Sequence, residues 1–217
     1  MSANIVVCRS FKFPHFTTTK SCGDMKDAPV RNAFLASLKI NPVDLVLAKQ
    51  IHSNTVKIVS KKDGGKFLDG CDGFITDEKN LALGIFTADC MPVMLCSKDG
   101  RVKAALHCGW KGLACAILEK AVGIFKTDFG ADAKTLCAYI APHIKECCYE
   151  TGGEFEDIFN IKLKNSKLNM AEIACVKLNK MGVKNIAVSI DCTFCGGDKF
   201  FSYRKNKTDK RQLTVLL

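Results

Sequence analysis

Two apolar runs dominate the middle of the chain: Leu81 to Phe86 and Pro92 to Cys96. They are too short for helices and too continuous for half-exposed strands, so they predict strands buried on both faces. The Lys98-Asp99-Gly100 turn joins the second run to a further strand, Val102 to His107, as a hairpin. Pro92 cannot donate to a ladder and marks a strand start or a bulge. Further strands are expected over residues 4–12, over 16–23 running into a loop, and at Asp44–Ala48, Cys71–Asp77, Leu136–Ile140, Ile186–Ile190 and Phe200–Arg204, with a basic tail from there to Leu217. Lys61 to Gly65 is polar and turn-like.

Other segments carry the helical period. Val30, Ala33, Phe34 and Leu38 share one face of a helix from Pro29 to Leu38. Ala114, Ile117, Leu118, Ala121, Ile124 and Phe125 form one stripe, predicting a single helix from Leu113 to Phe125. A shorter helix is expected over Glu154–Leu163. Another over Asn169–Met181 has Asn169 as N-cap, Glu172 three residues on and Gly182 beyond its end. Strands and helices alternate irregularly, which favours an α+β class over a doubly wound sheet. No repeat or linker divides the 217 residues, so a single domain over 1–217 is expected.

Composition changes this picture in three ways. No run of eighteen apolar residues exists, so no membrane span is expected. The first residues, Met1-Ser2-Ala3-Asn4, lack the basic and apolar regions of a secretory leader, and a cytoplasmic location is the expectation. The thirteen cysteines then read as thiols rather than a disulfide framework, most of them small buried hydrophobes. The net charge of +10 points to an anionic partner, phosphate-bearing small molecules or nucleic acid, or to a solvated basic face. No RNP-type aromatic motif, zinc-finger spacing or helix-turn-helix supports nucleic acid.

Candidate chemistry gathers around the apolar runs. His52, Cys90 and His107 supply two imidazoles and a thiolate, the ligand types of a catalytic Zn²⁺ site with one open position. Their spacing alone leaves core histidines and a core cysteine as the alternative. Asp89 lies in so apolar a run that its carboxylate needs partners, either in a hydrogen-bond network or at a pocket edge. Gly109-Trp110-Lys111-Gly112 enters a helix and could present amides to an anion, or be plain turn chemistry. Cys192-x-x-Cys195 could be a redox or metal pair, although no second CxxC accompanies it. His143, after Ala141-Pro142, is a substrate contact or a loop residue. Ser202-Tyr203-Arg204 with Arg211 offers guanidinium groups for phosphate or carboxylate, or a surface edge strand.

Five ordered motifs together resemble the YfiH-type family, also called the laccase-domain or polyphenol-oxidase-named family. Gln50-Ile51-His52-Ser53 resembles its Gln-Val-His-Gly. Thr87-Ala88-Asp89-Cys90-Met91-Pro92-Val93 is similar to Thr-Ala-Asp-Cys-x-Pro-Val, and His107-Cys108-Gly109-Trp110-Lys111-Gly112 to His-Ala-Gly-Trp-Arg-Gly. Ala141-Pro142-His143-Ile144 with Cys148-Tyr149-Glu150-Thr151 resembles Gly-Pro-x-Ile with Cys-Tyr-Glu-Val. Cys192-Thr193, Phe201-Ser202-Tyr203-Arg204-Lys205 and Arg211-Gln212 complete the set. The start departs from the pattern. Thr-Arg-x-Gly-Gly is met only by Thr19-Lys20-Ser21-Cys22-Gly23, and Lys20 keeps the charge without the bidentate fork.

The resemblance implies packed mixed β-sheets with helices on the outside. It implies Zn²⁺ held by His52, Cys90 and His107, which are also the catalytic residues, and purine nucleosides and phosphate as partners. Lys20, Gln50, Asp89, His143 and Arg204 are the implied substrate-binding residues. The implied activities are phosphorolysis of adenosine, inosine, guanosine and methylthioadenosine, and deamination of adenosine. A multicopper oxidase, as the family's older name suggests, needs more imidazoles than four histidines supply. Two rivals stay open: a thiol hydrolase using Cys90 with His107 or His52 as base, and a non-enzymatic basic binding module containing zinc.

Overall fold

A computed structural model describes residues 5–217. Asn4, the first residue of the expected opening strand, and the segment read for a leader lie outside them. Twelve strands occur among the described residues: β1 (Ile5–Val6), β2 (His15–Thr18), β3 (Leu45–Lys49), β4 (Val56–Ile58), β5 (Phe67–Asp69), β6 (Gly73–Thr76), β7 (Ala82–Thr87), β8 (Met91–Ser97), β9 (Lys103–Cys108), β10 (Leu136–Ile140), β11 (Asn185–Val188) and β12 (Gln212–Leu216). The helices are α1 (Ala28–Ser37), α2 (Trp110–Ala114), α3 (Ile117–Thr127), α4 (Glu154–Phe159), α5 (Met170–Lys180) and α6 (Tyr203–Asn206). None is long and apolar enough to cross a membrane.

The strands form two six-stranded mixed sheets. The first runs β1-β2-β12-β7-β3-β5 and the second β11-β10-β8-β9-β6-β4. Side chains alternate across each strand, and both faces of the central strands are covered. Met94 and Cys96 of β8 meet Leu83 and Ile85 of β7 and Leu216 of β12 in the core between the sheets. Val93 and Leu95, on the other face of β8, pack with α2, α3 and α5. Leu45, Leu213 and Val215, on the outer face of the first sheet, pack with Leu35 of α1. The result is four layers: helix, sheet, sheet, helices. That matches the expected packed mixed sheets with outer helices, and it explains why seven successive residues of β8 are buried.

Local signals set the helix ends. Asp27 caps α1 by accepting the Val30 amide, and Asn169 caps α5 by accepting the Glu172 amide. The single helix expected from Leu113 to Phe125 is two. Ala116 adopts φ 66° between α2 and α3, and Asn54 donates from Nδ2 to the Cys115 carbonyl at 2.6 Å. The break lets α2 lie against the 52–54 loop, where a Cβ on Gly112 would come within 2.9 Å of the Ser53 carbonyl oxygen. The helix expected to reach Leu163 ends at Phe159, where Asn160 turns left-handed.

The C-terminal expectation is corrected most. Phe200–Arg204 is not a strand: Ser202 accepts the Lys205 amide and caps α6. A side-chain cap there overrides the aromatic pattern. The segment read as a basic tail instead ends in β12, which pairs antiparallel with both β2 and β7. Short edge strands β4 and β5 were not visible in the pattern. Pro92 is the second residue of β8, opposite His107.

Candidate active site

Two connections cross between the sheets on the same side of the molecule. The chain leaves β3 for β4 through residues 50–55, and leaves β7 for β8 through residues 88–90. The first crossing carries His52, the second Cys90, and β9 brings His107 beside them. Their ligand atoms lie within 4.8 Å of one another, with Cys90 Sγ 3.9 Å from His52 Nε2. The two imidazoles meet edge to face at 4.8 Å between centroids.

Asp72 organises this arrangement. It is fully buried and accepts the backbone amides of Ile51, His52 and Ser53 and the Ser53 hydroxyl. These bonds hold His52 in the left-handed region at φ 60°. Asp72 Oδ1 also accepts the Nδ1–H of His107 at 2.8 Å, which leaves His107 Nε2 facing Cys90. Burial alone would raise the Asp72 carboxyl. The hydrogen bonds from His107 and Ser53 outweigh it and hold the group at about 2. The sequence pattern places Asp72 only within the expected strand Cys71–Asp77, and its role shows only when residues 51–53 and 107 meet it in space.

Burial would also raise the Cys90 thiol, but the charge and hydrogen bonding of His107, then those of His52, lower it to about 6. Burial opposes protonation of His107, yet Cys90 and Asp72 raise it to about 9. The Cys90 and Asp72 charges thus favour a positive charge at the His107 ring between them, which a bound metal cation would supply in place of the proton. Gly109 closes the site: a Cβ there would stand 3.2 Å from His52 Cδ2 and 3.3 Å from Cys90 Sγ. Two imidazoles and one thiolate, one imidazole oriented by a carboxylate, fit a borderline-soft divalent ion.

Cys90 borders two cavities. The larger, about 350 Å³, is lined by Gln50, His52, Thr87 and His107, with Phe67 and Phe86 as an aromatic wall and Lys26, Lys49 and Arg211 at its mouth. No carboxylate lines it. Phe67 and Phe86 stack at 6.2 Å, with the Arg31 guanidinium over both rings. The Thr87 hydroxyl, buried in this wall, has no partner among the described residues. The smaller cavity, about 130 Å³, is lined by Asp89, Trp110, Tyr149, Tyr203 and Arg204.

The other candidate residues occupy different places. Gln50 fastens β3 to β7, donating to the Phe86 carbonyl and accepting the Phe86 amide. Asp89 is not on a strand: it turns at φ 95°. Its carboxylate accepts the Thr193 and Ser202 hydroxyls and the Arg204 amide, so it anchors the C-terminal segment beside Cys90. Arg204 lies over the Tyr149 ring and donates to the Glu150 carbonyl. His143 is buried with Nδ1 on the Ala141 carbonyl, its pKa lowered to about 4 by burial, and it lines neither cavity. Lys20 is exposed, 3.4 Å from Asp198, and also lines neither.

The family model described as multi-copper polyphenol oxidoreductase laccase matches residues 10–217. A protein of Clostridium acetobutylicum named purine nucleoside phosphorylase is 38% identical over 175 residues, covering 76% of this chain and 73% of that one. One of the same name from Aquifex aeolicus is 38% identical over 177 residues, covering 80% and 82%. The crystal structure of the Bacillus licheniformis hypothetical protein YfiH superposes with a TM-score of 0.89 at 24% identity, over 99% of this chain and 96% of that one. The fold, the metal-type cluster and these matches agree, and this chain belongs to the YfiH-type family, the one described as multi-copper polyphenol oxidoreductase laccase.

Proposed function

We propose that the chain is a zinc-dependent purine nucleoside phosphorylase working at the two cavities that meet at Cys90. The observation that carries the reading is the pairing of a carboxylate-oriented His52/Cys90/His107 cluster with a cationic cavity free of carboxylates. The names of the relatives point the same way. Four histidines are too few for a multicopper oxidase, so the choice of metal rests on the His₂Cys set.

The cavity's parts divide the work. The exposed face of Phe67 offers a stacking surface for a purine. Lys26, Lys49 and Arg211 on one side, and Arg204 on the other, supply positive charge for phosphate. In phosphorolysis a phosphate oxygen forms a bond to ribose C1′, the C1′–N9 bond breaks, and the leaving purine takes up a proton. Water must be kept from C1′, and the aromatic walls serve that exclusion. When bound, a zinc ion supplies Lewis-acid stabilisation of negative charge at the junction of the cavities. Deamination of adenosine in the same pocket belongs to this reading as a second activity.

Hypoxanthine release from inosine by purified, zinc-loaded protein tests it, with and without phosphate and beside Cys90→Ala. Phosphate-dependent release that disappears in Cys90→Ala is expected. No release from folded, zinc-loaded protein overturns inosine phosphorolysis, and ammonia release from adenosine then tests the deaminase arm. Turnover of ester or amide substrates by metal-free protein would instead favour Cys90 as a nucleophile.

A further inference from the structure

A second group of metal-type ligands lies outside this site. Cys147 and Cys148 follow β10, and Cys192 and Cys195 follow β11. Their four Sγ atoms lie within 4.8 Å of one another. Cys147 Sγ and Cys195 Sγ are 3.7 Å apart, and all four thiols are unbridged. Cysteines that fill a core are enclosed by apolar side chains, but here Cys147 and Cys195 are exposed. Four thiols converging at a surface from two separate loops are not accounted for by packing.

We propose that Cys147, Cys148, Cys192 and Cys195 bind a second, structural Zn²⁺ in an all-thiolate site. Four thiolates at about 2.3 Å from one tetrahedral zinc stand roughly 3.8 Å apart, close to the separation of Cys147 and Cys195. A thiolate-only set selects zinc over harder cations. The local backbone suits ligation. The Lys145 amide donates to Cys192 Sγ at 3.5 Å, and the Gly196 amide closes the CxxC turn onto the Cys192 carbonyl at 2.9 Å. A Cβ at Gly196 would come within 2.5 Å of that carbonyl oxygen, so the tight turn requires glycine. Four thiolates around Zn²⁺ carry a net charge of two minus. The Lys145 and Lys167 ammonium groups, on the Ser189 and Cys147 carbonyls respectively, lie on these same loops to offset it.

The site would clip together two segments that both reach the first centre. Tyr149 follows Cys148 and lines the smaller cavity. Thr193 follows Cys192 and donates to Asp89, next to Cys90. The inference does not depend on the phosphorylase reading, because its readout is metal content.

Zinc per chain is measured by mass spectrometry on full-length protein purified reduced, without chelator, from zinc-supplemented culture. Two zinc ions per wild-type chain are expected, and two in Cys115→Ser, which alters an exposed cysteine outside the cluster. One is expected in Cys195→Ser and one in Cys90→Ala. Cobalt loaded into Cys90→Ala should show the intense sulfur-to-metal charge transfer of several thiolates. That variant leaves all four cysteines intact, so it decides the matter even if Cys195→Ser does not fold. Folded Cys90→Ala protein without zinc overturns the proposal. So does an intact wild-type mass short by two hydrogens that maps to a Cys147–Cys195 bridge.

Discussion

Asp72 concentrates more consequence in one side chain than any ligand it supports. A carboxylate with no exposure is tolerated only because every acceptor direction is used, on three amides, one hydroxyl and the His107 ring. Asp72→Asn nearly preserves shape but removes the charge that orients His107 and replaces one acceptor oxygen by a donor. Metal affinity should fall about 10–100-fold, as it does when the carboxylate behind a metal-bound imidazole is lost. Competition with a chelator of known affinity reads this directly, and an unchanged affinity would show that His107 is positioned without Asp72. His52 and Asp89 both turn at positive φ, a conformation costly for any residue but glycine. Asp72 holds the first turn in place. Asp89, through Thr193, Ser202 and Arg204, is itself held in the second.

Among the secondary-structure elements, the paired helices α2 and α3 show how a tertiary demand overrides a local pattern. The apolar stripe from Ala114 to Phe125 is continuous, yet the helix stops because α2 has to meet the 52–54 loop while α3 lies on the second sheet. The cost falls on Ala116 at φ 66°. Ala116→Gly should therefore stabilise the protein by about 1 kcal/mol, glycine being free of the left-handed penalty. Urea unfolding measures it, and a loss of stability would mean that the alanine methyl packs usefully. Elements whose signals are local were legible in the sequence: β7 and β8 from apolar runs, β9 from the hairpin turn before it, α1 from its period and α5 from its caps. β12 was not, because Lys210 and Arg211 precede it and its burial depends on β2 and β7, far away in the chain. The ligand types His52, Cys90 and His107 could be picked out by chemistry. Asp72 could not: it falls inside the expected strand Cys71–Asp77, and the groups that reveal its role, residues 51–53 and His107, lie far from it in the chain.

Across the whole molecule, two imidazoles are buried as neutral groups and set an acid limit. His15 accepts the Cys8 amide at Nε2, donates from Nδ1 to the Phe13 carbonyl, and packs against Phe11 and Tyr139. Burial lowers its pKa, as it lowers that of His143 to about 4. In the unfolded chain both take up protons near pH 6.5. Below that pH the unfolded state binds more protons than the native state, so stability is present above about 6.5 and is lost as pH falls towards 4. Urea midpoints across this range should decline, and His15→Gln should flatten part of the slope. Midpoints that rise on acidification would contradict the assignment of neutral imidazoles.

The place of β12 bears on how the protein is made. Residues 212–216 fill the gap between β2 and β7, so every one of their sheet partners is synthesised before they are. Until they emerge, the first sheet exists only as a β1-β2 hairpin and a separate β7-β3-β5 ribbon, each with a bare edge that can pair with a stranger. During translation the second sheet, whose strands all lie upstream, can form first and serve as the template. The closing strand is then the step at which assembly succeeds or the nascent chain needs a chaperone.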